Sequence, residues 1–313
     1  MHTESYTQPK QPPAVRITAY VIILCIVFWI VKSVFFSKPV SISPIPDEPN
    51  KRSVFLQFFK KEKNPEALKE KIKKTVNNEW TNYSVLVKDM NSDFSVGIND
   101  SLIYSAASVN KVPILVAIYD KAKQGDIDFD AVVTLQEADI QDYGTGKIRY
   151  DQPGSTYTIK TLVQLMTQKS DNTAAFILGN YIVSLTGIQQ YINALGLTQT
   201  DIVNNKTSNK DMAILFEKMY RKQITTPALS EELLGLLTDS DFEDRLPALL
   251  PPGTVVHHKI GTGTGVVHDV GLVVHGSTAY YIGIFTSDIT DEEQAAQLLA
   301  KVSKTVYDFM YEK

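Results

Sequence analysis

Segments that read as strands lie at the two ends of this chain and segments that read as helices fill the space between, an order that leaves few folds open. Near the start, Tyr83 to Met90 alternates Val85 and Val87 against Leu86 and Lys88, and with Asp93 to Asn99 it reads as a hairpin. Near the end, Val255 to Ile260, Val266 to Val274 and Ala279 to Ser287 read as three further strands, followed by a helix from Asp291 to Tyr311. A helix opens the unit at Pro65 to Asn78, with Pro65 in its first turn and Leu68, Ile72 and Val76 on one face. Between the strand groups, periodicity predicts helices over Lys111 to Lys123, Ile159 to Gln168, Thr173 to Ser184, Gly187 to Leu195, Asp211 to Arg221 and Ser230 to Thr238. Strands so far apart can share a sheet only if the chain ends meet. The expected fold is therefore α/β (α+β), an antiparallel five-stranded sheet flanked by helices with a helical subdomain inserted and a cleft between the two.

The N-terminal region predicts where such a domain would sit. After a short tail over 1–16, residues 17–36 are almost wholly apolar and long enough to cross a bilayer, with Lys32 near the end able to snorkel. No small-x-small site follows, and Leu24 precedes Cys25 in mid-segment, so an uncleaved transmembrane anchor is expected over a cleaved signal. Lys10 and Arg16 on one side balance Lys32 and Lys38 on the other, so the positive-inside rule does not orient it. Residues 37–63 read as a tether, first rich in proline (Pro39, Pro44, Pro46, Pro49) and then basic; 64–313 is the expected folded domain.

Composition narrows the chemistry. A net charge of -4 without a dense basic patch argues against nucleic acid as a partner. The single cysteine, Cys25, permits neither a disulfide framework nor a thiolate cluster, and five scattered histidines form no metal motif. No metal and no cofactor are expected, and the adjacent His257 and His258 read as plain strand residues on opposite faces.

Three short motifs carry the functional signal: Ser108-Val-Asn-Lys111 at the head of an apolar helix, Ser170-Asp171-Asn172, and Lys259-Ile260-Gly261, in that order. A serine hydroxyl needs a base within reach before it can attack a carbonyl, and a lysine three residues on along a helix supplies one. The other two motifs add hydroxyl, amide and ammonium groups, and together the three read as the site of an active-serine hydrolase.

With Ser170 to Ala175, Asp211-Met212-Ala213, the run Arg245 to Pro251, Lys259 to Gly263 and His268 to Gly271, these motifs make the chain resemble the class A β-lactamase family of penicillin-recognising serine hydrolases, over about 250 residues. The resemblance implies a β-lactamase/transpeptidase-like fold and acyl transfer, Ser108 being acylated by a β-lactam or a peptidoglycan-like peptide. Lys111 would be the base, its pKa lowered by burial and by Lys259; Ser170 would relay a proton to the leaving nitrogen, though it or Asp171 could instead cap the following helix. Lys259 would hold a substrate carboxylate, Asn172 a substrate amide, and the backbone N–H groups of Ser108 and Thr262 an oxyanion. Around them, Gly261 belongs to the third motif, Arg245 would reach the carboxylate or pair with Glu243 or Asp244, and Tyr143 would wall the cleft or lie on a surface loop.

Two departures qualify the resemblance. The interval Leu197 to Thr207 is too short for the family's loop and lacks its glutamate, so the acyl-enzyme should hydrolyse slowly unless Asp201 or another group substitutes. Ile260 stands where the family has a hydroxyl residue, leaving Thr262 on the same strand face to donate instead. The leading expectation is a membrane-anchored β-lactamase-like hydrolase with its domain outside the cytoplasmic membrane. The alternatives are a penicillin-binding peptidase acting on D-Ala-D-Ala-like peptides and a non-catalytic wall-binding module.

Overall fold

A computed structural model of the chain describes residues 63–312; the expected tail, the transmembrane segment 17–36 and the tether up to residue 62 lie outside the described residues. No described helix is long and apolar enough to cross a membrane. The unit begins with α1 (Pro65–Val76), where Asn64 Oδ1 accepts from the N–H groups of Glu66 and Ala67 and Leu68, Ile72 and Val76 are buried as expected. The hairpin follows as β1 (Asn82–Asp89) and β2 (Ser95–Ile98). The C-terminal strands are β7 (Val255–Gly263), β8 (Val266–His275) and β9 (Thr278–Ser287), and α8 (Glu292–Tyr311) closes the chain.

The five strands form one antiparallel sheet in the order β2-β1-β9-β8-β7, so the two strand groups do meet, through the pairing of β1 with β9. Its two faces are covered differently. Along β9, Tyr280, Ile282 and Ile284 point into a layer with Leu68 and Ile72 of α1 and Leu299, Val302 and Val306 of α8. Tyr281 and Phe285 point the opposite way, into the larger core shared with the helical part. Cover on both faces explains why β8 and β9 are buried nearly throughout and show little polar alternation. Truncating a fully buried leucine such as Leu299 to alanine would cost about 2–5 kcal/mol.

The helical part is built around α2 (Lys111–Gln124), whose residues Lys111 to Tyr119 are all buried, with α3 (Ile159–Gln168), α4 (Asn172–Ile177), α5 (Leu185–Ala194), α6 (Asn209–Tyr220) and α7 (Pro227–Gly235) about it. Two small ladders tie the connections together: β3 (Ile103–Ser105) with β6 (Lys206–Ser208), and β4 (Val132–Thr134) with β5 (Thr156–Thr158). The helix expected over 173–184 is not continuous. It passes from α4 into a wider π turn at Leu178–Ile182, where Asn180 Nδ2 donates to the Phe176 carbonyl at 2.8 Å and so competes with the backbone ladder.

Candidate active site

Ser108 lies in a 3-10 turn, Ala107–Asn110, that runs straight into α2. That turn is held tightly. Ala107 has φ 47°, a left-handed conformation that costs a non-glycine residue about 1–2 kcal/mol. Two contacts hold its neighbours: Ala106 N–H donates to Asn205 O at 2.8 Å, and His268 Nε2 meets Ser105 O at 2.8 Å. His268 Nδ1 accepts from the Thr286 N–H at 3.1 Å, which leaves the ring proton on Nε2 to donate to Ser105. Complete burial pushes the pKa of His268 down to about 4, so this ring is a neutral strut at physiological pH.

Lys111 projects into the space beside the nucleophile. Its Nζ is 3.1 Å from Ser108 Oγ, 3.2 Å from Ser170 Oγ, 2.5 Å from Ser170 O and 2.7 Å from Asn172 Oδ1. Burial, then the nearby Lys259, drive its pKa well below the usual lysine range, with Asp171 opposing. From β7, Lys259 Nζ donates to the same Ser170 Oγ at 3.0 Å; burial brings its pKa down to about 7, Asp269 opposing and Arg245 adding to the fall. The three motifs thus converge on Ser170, which is fully buried with φ 52°.

The helix-capping alternative for Ser170 falls to its neighbour. Asp171 Oδ1 accepts from Ala174 N–H at 2.9 Å as the cap of α4, and Oδ2 accepts from Lys147 N–H at 2.6 Å and Ile148 N–H at 3.0 Å. Asp171 therefore braces the 143–148 loop and leaves the Ser170 hydroxyl to the two lysines. Asn172 is engaged at both ends: Oδ1 meets Lys111 and Nδ2 donates to the Tyr143 carbonyl at 2.8 Å. Gly144 makes this fit possible, since at φ 65° a Cβ there would come within 2.6 Å of Asn172 Nδ2.

The surrounding cleft has a volume of about 960 Å³ and is lined by Ser108, Lys111, Asn172, Tyr143, Thr262 and Arg245 among others. Tyr143 is 64% exposed and forms part of the rim. Gly261 is not in the lining. A Cβ there would lie 2.9 Å from Ala106 O, so glycine lets β7 pack against the nucleophile turn. Arg245 is buried behind β7, with Nη1 donating to His268 O at 2.9 Å, Nη2 to Thr262 Oγ1 at 2.7 Å, and Nε 3.6 Å from Asp244 Oδ1. The expected pairing with Asp244 is present, and Arg245 also reaches the cleft through Thr262. Because Thr262 Oγ1 accepts from Arg245, its own proton is free to donate into the cleft, the role expected of it in place of Ile260.

Glu243, the other partner expected for Arg245, instead faces His258. Sequence reasoning missed this cluster. His258 Nδ1 sits 2.9 Å from both Asp269 oxygens, Nε2 is 3.4 Å from Glu243, and Asp269 Oδ2 also accepts from Leu246 N–H at 3.1 Å. Burial alone would discharge the ring, but Asp269 and then Glu243 outweigh it and raise its pKa to about 9. The cluster secures the segment that carries Arg245, since Asp269 also holds the Leu246 N–H; no sequence signal marks it.

No replacement for the family's glutamate comes from Asp201. Its carboxylate caps its own turn, accepting from Val203 N–H, Asn204 N–H and Asn204 Nδ2 at 3.0, 2.9 and 2.8 Å, and bonds to Asn204 lower its pKa. It does not line the cleft; among the described residues that do, the only carboxylate is Glu292, in the first turn of α8.

Comparison with known proteins agrees with this geometry. The model of the β-lactamase enzyme family matches residues 67–310. A β-lactamase of Bacteroides uniformis is 28% identical over 243 residues, covering 68% of this chain and 81% of that protein. The extended-spectrum β-lactamase PER-1 of Pseudomonas aeruginosa is 23% identical over 241 residues, covering 69% and 78%. Among solved structures, PBP-A superposes with a TM-score of 0.72 at 26% identity, covering 77% of this chain and 95% of its own. A mutant of PBP-A, solved as an acyl-enzyme complex with penicillin-G, matches with the same score and identity, covering 78% and 96%. A family match over most of the chain, carried by a serine, two lysines and a relay hydroxyl in one cleft, makes this chain a member of the β-lactamase enzyme family of serine hydrolases.

Proposed function

We propose that this enzyme opens β-lactam rings through an acyl-enzyme on Ser108 and releases the product slowly. The observation that carries the reading is the proton arrangement at Lys111. A neutral amine has two N–H bonds and one lone pair, and Ser170 O and Asn172 Oδ1, both pure acceptors, take the two N–H bonds. The lone pair is then left for a hydroxyl, Ser108 or Ser170. In the proposed step Ser108 Oγ gives its proton to Lys111 as it attacks the lactam carbonyl. The C–N bond breaks as Ser170 protonates the nitrogen, and Ser170 regains its proton from Lys111. Lys259 and the Thr262 hydroxyl, backed by Arg245, would hold the substrate carboxylate, and the N–H groups of Ser108 and Thr262 would hold the oxyanion. Slow release follows from the lack of a carboxylate beside the nucleophile in the described cleft.

We place the enzyme in the cytoplasmic membrane, anchored through residues 17–36 with its catalytic domain outside, on the strength of their apolar length. A second reading, a peptidase acting on D-Ala-D-Ala-like ends of peptidoglycan stems, is favoured by the missing carboxylate and by the likeness to PBP-A. The test exposes the full chain in mild detergent, alongside Ser108→Ala, to a fluorescent penicillin and a chromogenic cephalosporin. Ser108-dependent turnover supports the β-lactamase reading, stable label without turnover favours the peptidase, and an unlabelled wild type removes both.

A further inference from the structure

The two acceptors that fix the Lys111 amine, Ser170 O and Asn172 Oδ1, are themselves held by one short loop at the rim of the cleft. Asn172 is tied to that loop through the Tyr143 carbonyl, which accepts from Nδ2 at 2.8 Å. Ser170 is tied to it through Thr145, whose Oγ1 donates to the Ser170 carbonyl at 2.9 Å. The Thr145 carbonyl in turn accepts from Asn172 N–H at 3.2 Å, so this one residue grips the motif on both sides of Asp171. Thr145 is exposed and lines the cleft, yet its hydroxyl proton turns back onto the chain, since a carbonyl can only accept. Its neighbours Gly144 and Gly146 have no side chain with which to do the same.

The Ser170 carbonyl needs such a hold. At φ 52° Ser170 sits in the left-handed region, which a residue with a Cβ keeps only where its surroundings impose it. The peptide unit that follows is pinned at its nitrogen end, where Asp171 N–H donates to Leu165 O at 3.0 Å. At its oxygen end one lone pair takes the Thr145 hydroxyl and the other takes Lys111. Without the hydroxyl, that end is left to the lysine it is meant to aim. We infer that Thr145 is a positioning residue for acylation: by holding the Ser170 carbonyl it fixes one Lys111 N–H and keeps the amine's lone pair turned toward the Ser108 and Ser170 hydroxyls. The inference rests on the acyl-enzyme reading above, in which Ser108 Oγ passes its proton to Lys111. Thr145 acts through Ser170 and Lys111 and touches none of the reacting atoms. A lone pair that wanders from the 3.1 Å line to Ser108 Oγ costs rate and not affinity, because that alignment counts in the transition state.

The experiment follows labelling of the full chain in detergent over a range of fluorescent penicillin concentrations, in the wild type, Thr145→Val and Thr145→Ser, and separates the limiting rate from the half-saturating concentration. Valine keeps the shape of threonine and removes the hydroxyl. The loop itself stays braced, by Asp171 Oδ2 on the Lys147 and Ile148 N–H groups and by Arg149 Nη1 on the Gly144 carbonyl at 2.8 Å. The limiting rate in Thr145→Val should fall about five- to tenfold, the worth of one hydrogen bond, while the half-saturating concentration changes less than about twofold. Serine restores the hydroxyl and should bring the rate back to within about twofold of the wild type. An unchanged limiting rate in Thr145→Val, a loss that falls on the half-saturating concentration instead, or a loss that serine does not restore would each overturn the assignment while leaving the acyl-enzyme intact. A wild type that takes no label removes the acyl-enzyme itself, and this inference with it.

Discussion

His258→Gln should change how the stability of this protein depends on pH, by an amount the structure fixes. Folding raises the pKa of the ring from 6.5 to about 9, because Asp269 and Glu243 more than offset its burial. A folded-state pKa above the unfolded one means that the folded protein binds the extra proton. The contribution is complete below pH 6.5 and is lost as pH rises to about 9. That difference corresponds to about 3 kcal/mol, which for a domain of this size is about 6–12 °C in Tm. Lys259 works in the opposite sense: its folded pKa of about 7 lies below 10.5, so its burial penalty holds at low pH and is relieved as pH rises. The wild-type curve alone would mix the two. The quantity to measure is the wild-type minus His258→Gln difference from urea unfolding between pH 6 and 9.5, in which the lysine contribution cancels. It should fall by about 3 kcal/mol across that range, leaving the smaller cost of packing and hydrogen bonding. Parallel curves for the two proteins would show that the ring is not charged in the folded state and that the cluster does not secure the Arg245 segment electrostatically.

Lys111→Ala should abolish penicillin labelling at neutral pH with an unchanged circular dichroism spectrum; an unaltered rate would assign the base elsewhere. In the wild type, labelling should fall toward acid as Lys111 gains its proton, and KM for a carboxylate-bearing β-lactam should rise as pH passes about 7 and Lys259 loses its own. Gly144→Ala should destabilise by about 1–2 kcal/mol from the left-handed backbone alone and slow labelling about tenfold, because the new Cβ displaces the amide that holds Lys111. Normal labelling in that variant would show that Asn172 does not position the lysine.

The legible parts of the fold were those written in long periodic segments. Leu68, Ile72 and Val76 of α1, and the apolar runs of β8 and β9, announce their burial residue by residue. The three-residue ladders β3 with β6 and β4 with β5 were not legible, since a pattern of period two needs more than three positions to differ from chance. At the site, Ser108, Lys111, Ser170 and Lys259 could be found because their spacing carries chemistry. His258 could not: a histidine in a strand looks the same whether its neighbour across the sheet is a carboxylate or a valine. Asp269 lies 11 residues away and reaches the ring only through the pairing of β7 with β8.

The same proton inventory that makes Lys111 a base for acylation constrains release. In the free site, Ser170 Oγ accepts from Lys259 and sits within reach of Lys111, so a proton delivered to the leaving nitrogen can be replaced at once. Once Ser108 is esterified its oxygen has no proton to give, and Lys111, freed of the proton it passed on, is again the neutral amine. Both its N–H bonds remain committed to carbonyl oxygens of Ser170 and Asn172, so its lone pair still faces the acylated oxygen and the cleft. Glu292 stands in the first turn of α8, and the oxygens of Asp201 and Asp171 are taken up by the N–H groups of their own turns and of the 143–148 loop. On the proposed mechanism one amine would therefore serve both half-reactions. In acylation it would deprotonate a hydroxyl fixed 3.1 Å away; in release it would have to act on a water that is not part of the chain. The first is an intramolecular transfer between positioned groups and the second depends on how well a mobile molecule is held, which is the physical reason that this site should load faster than it empties.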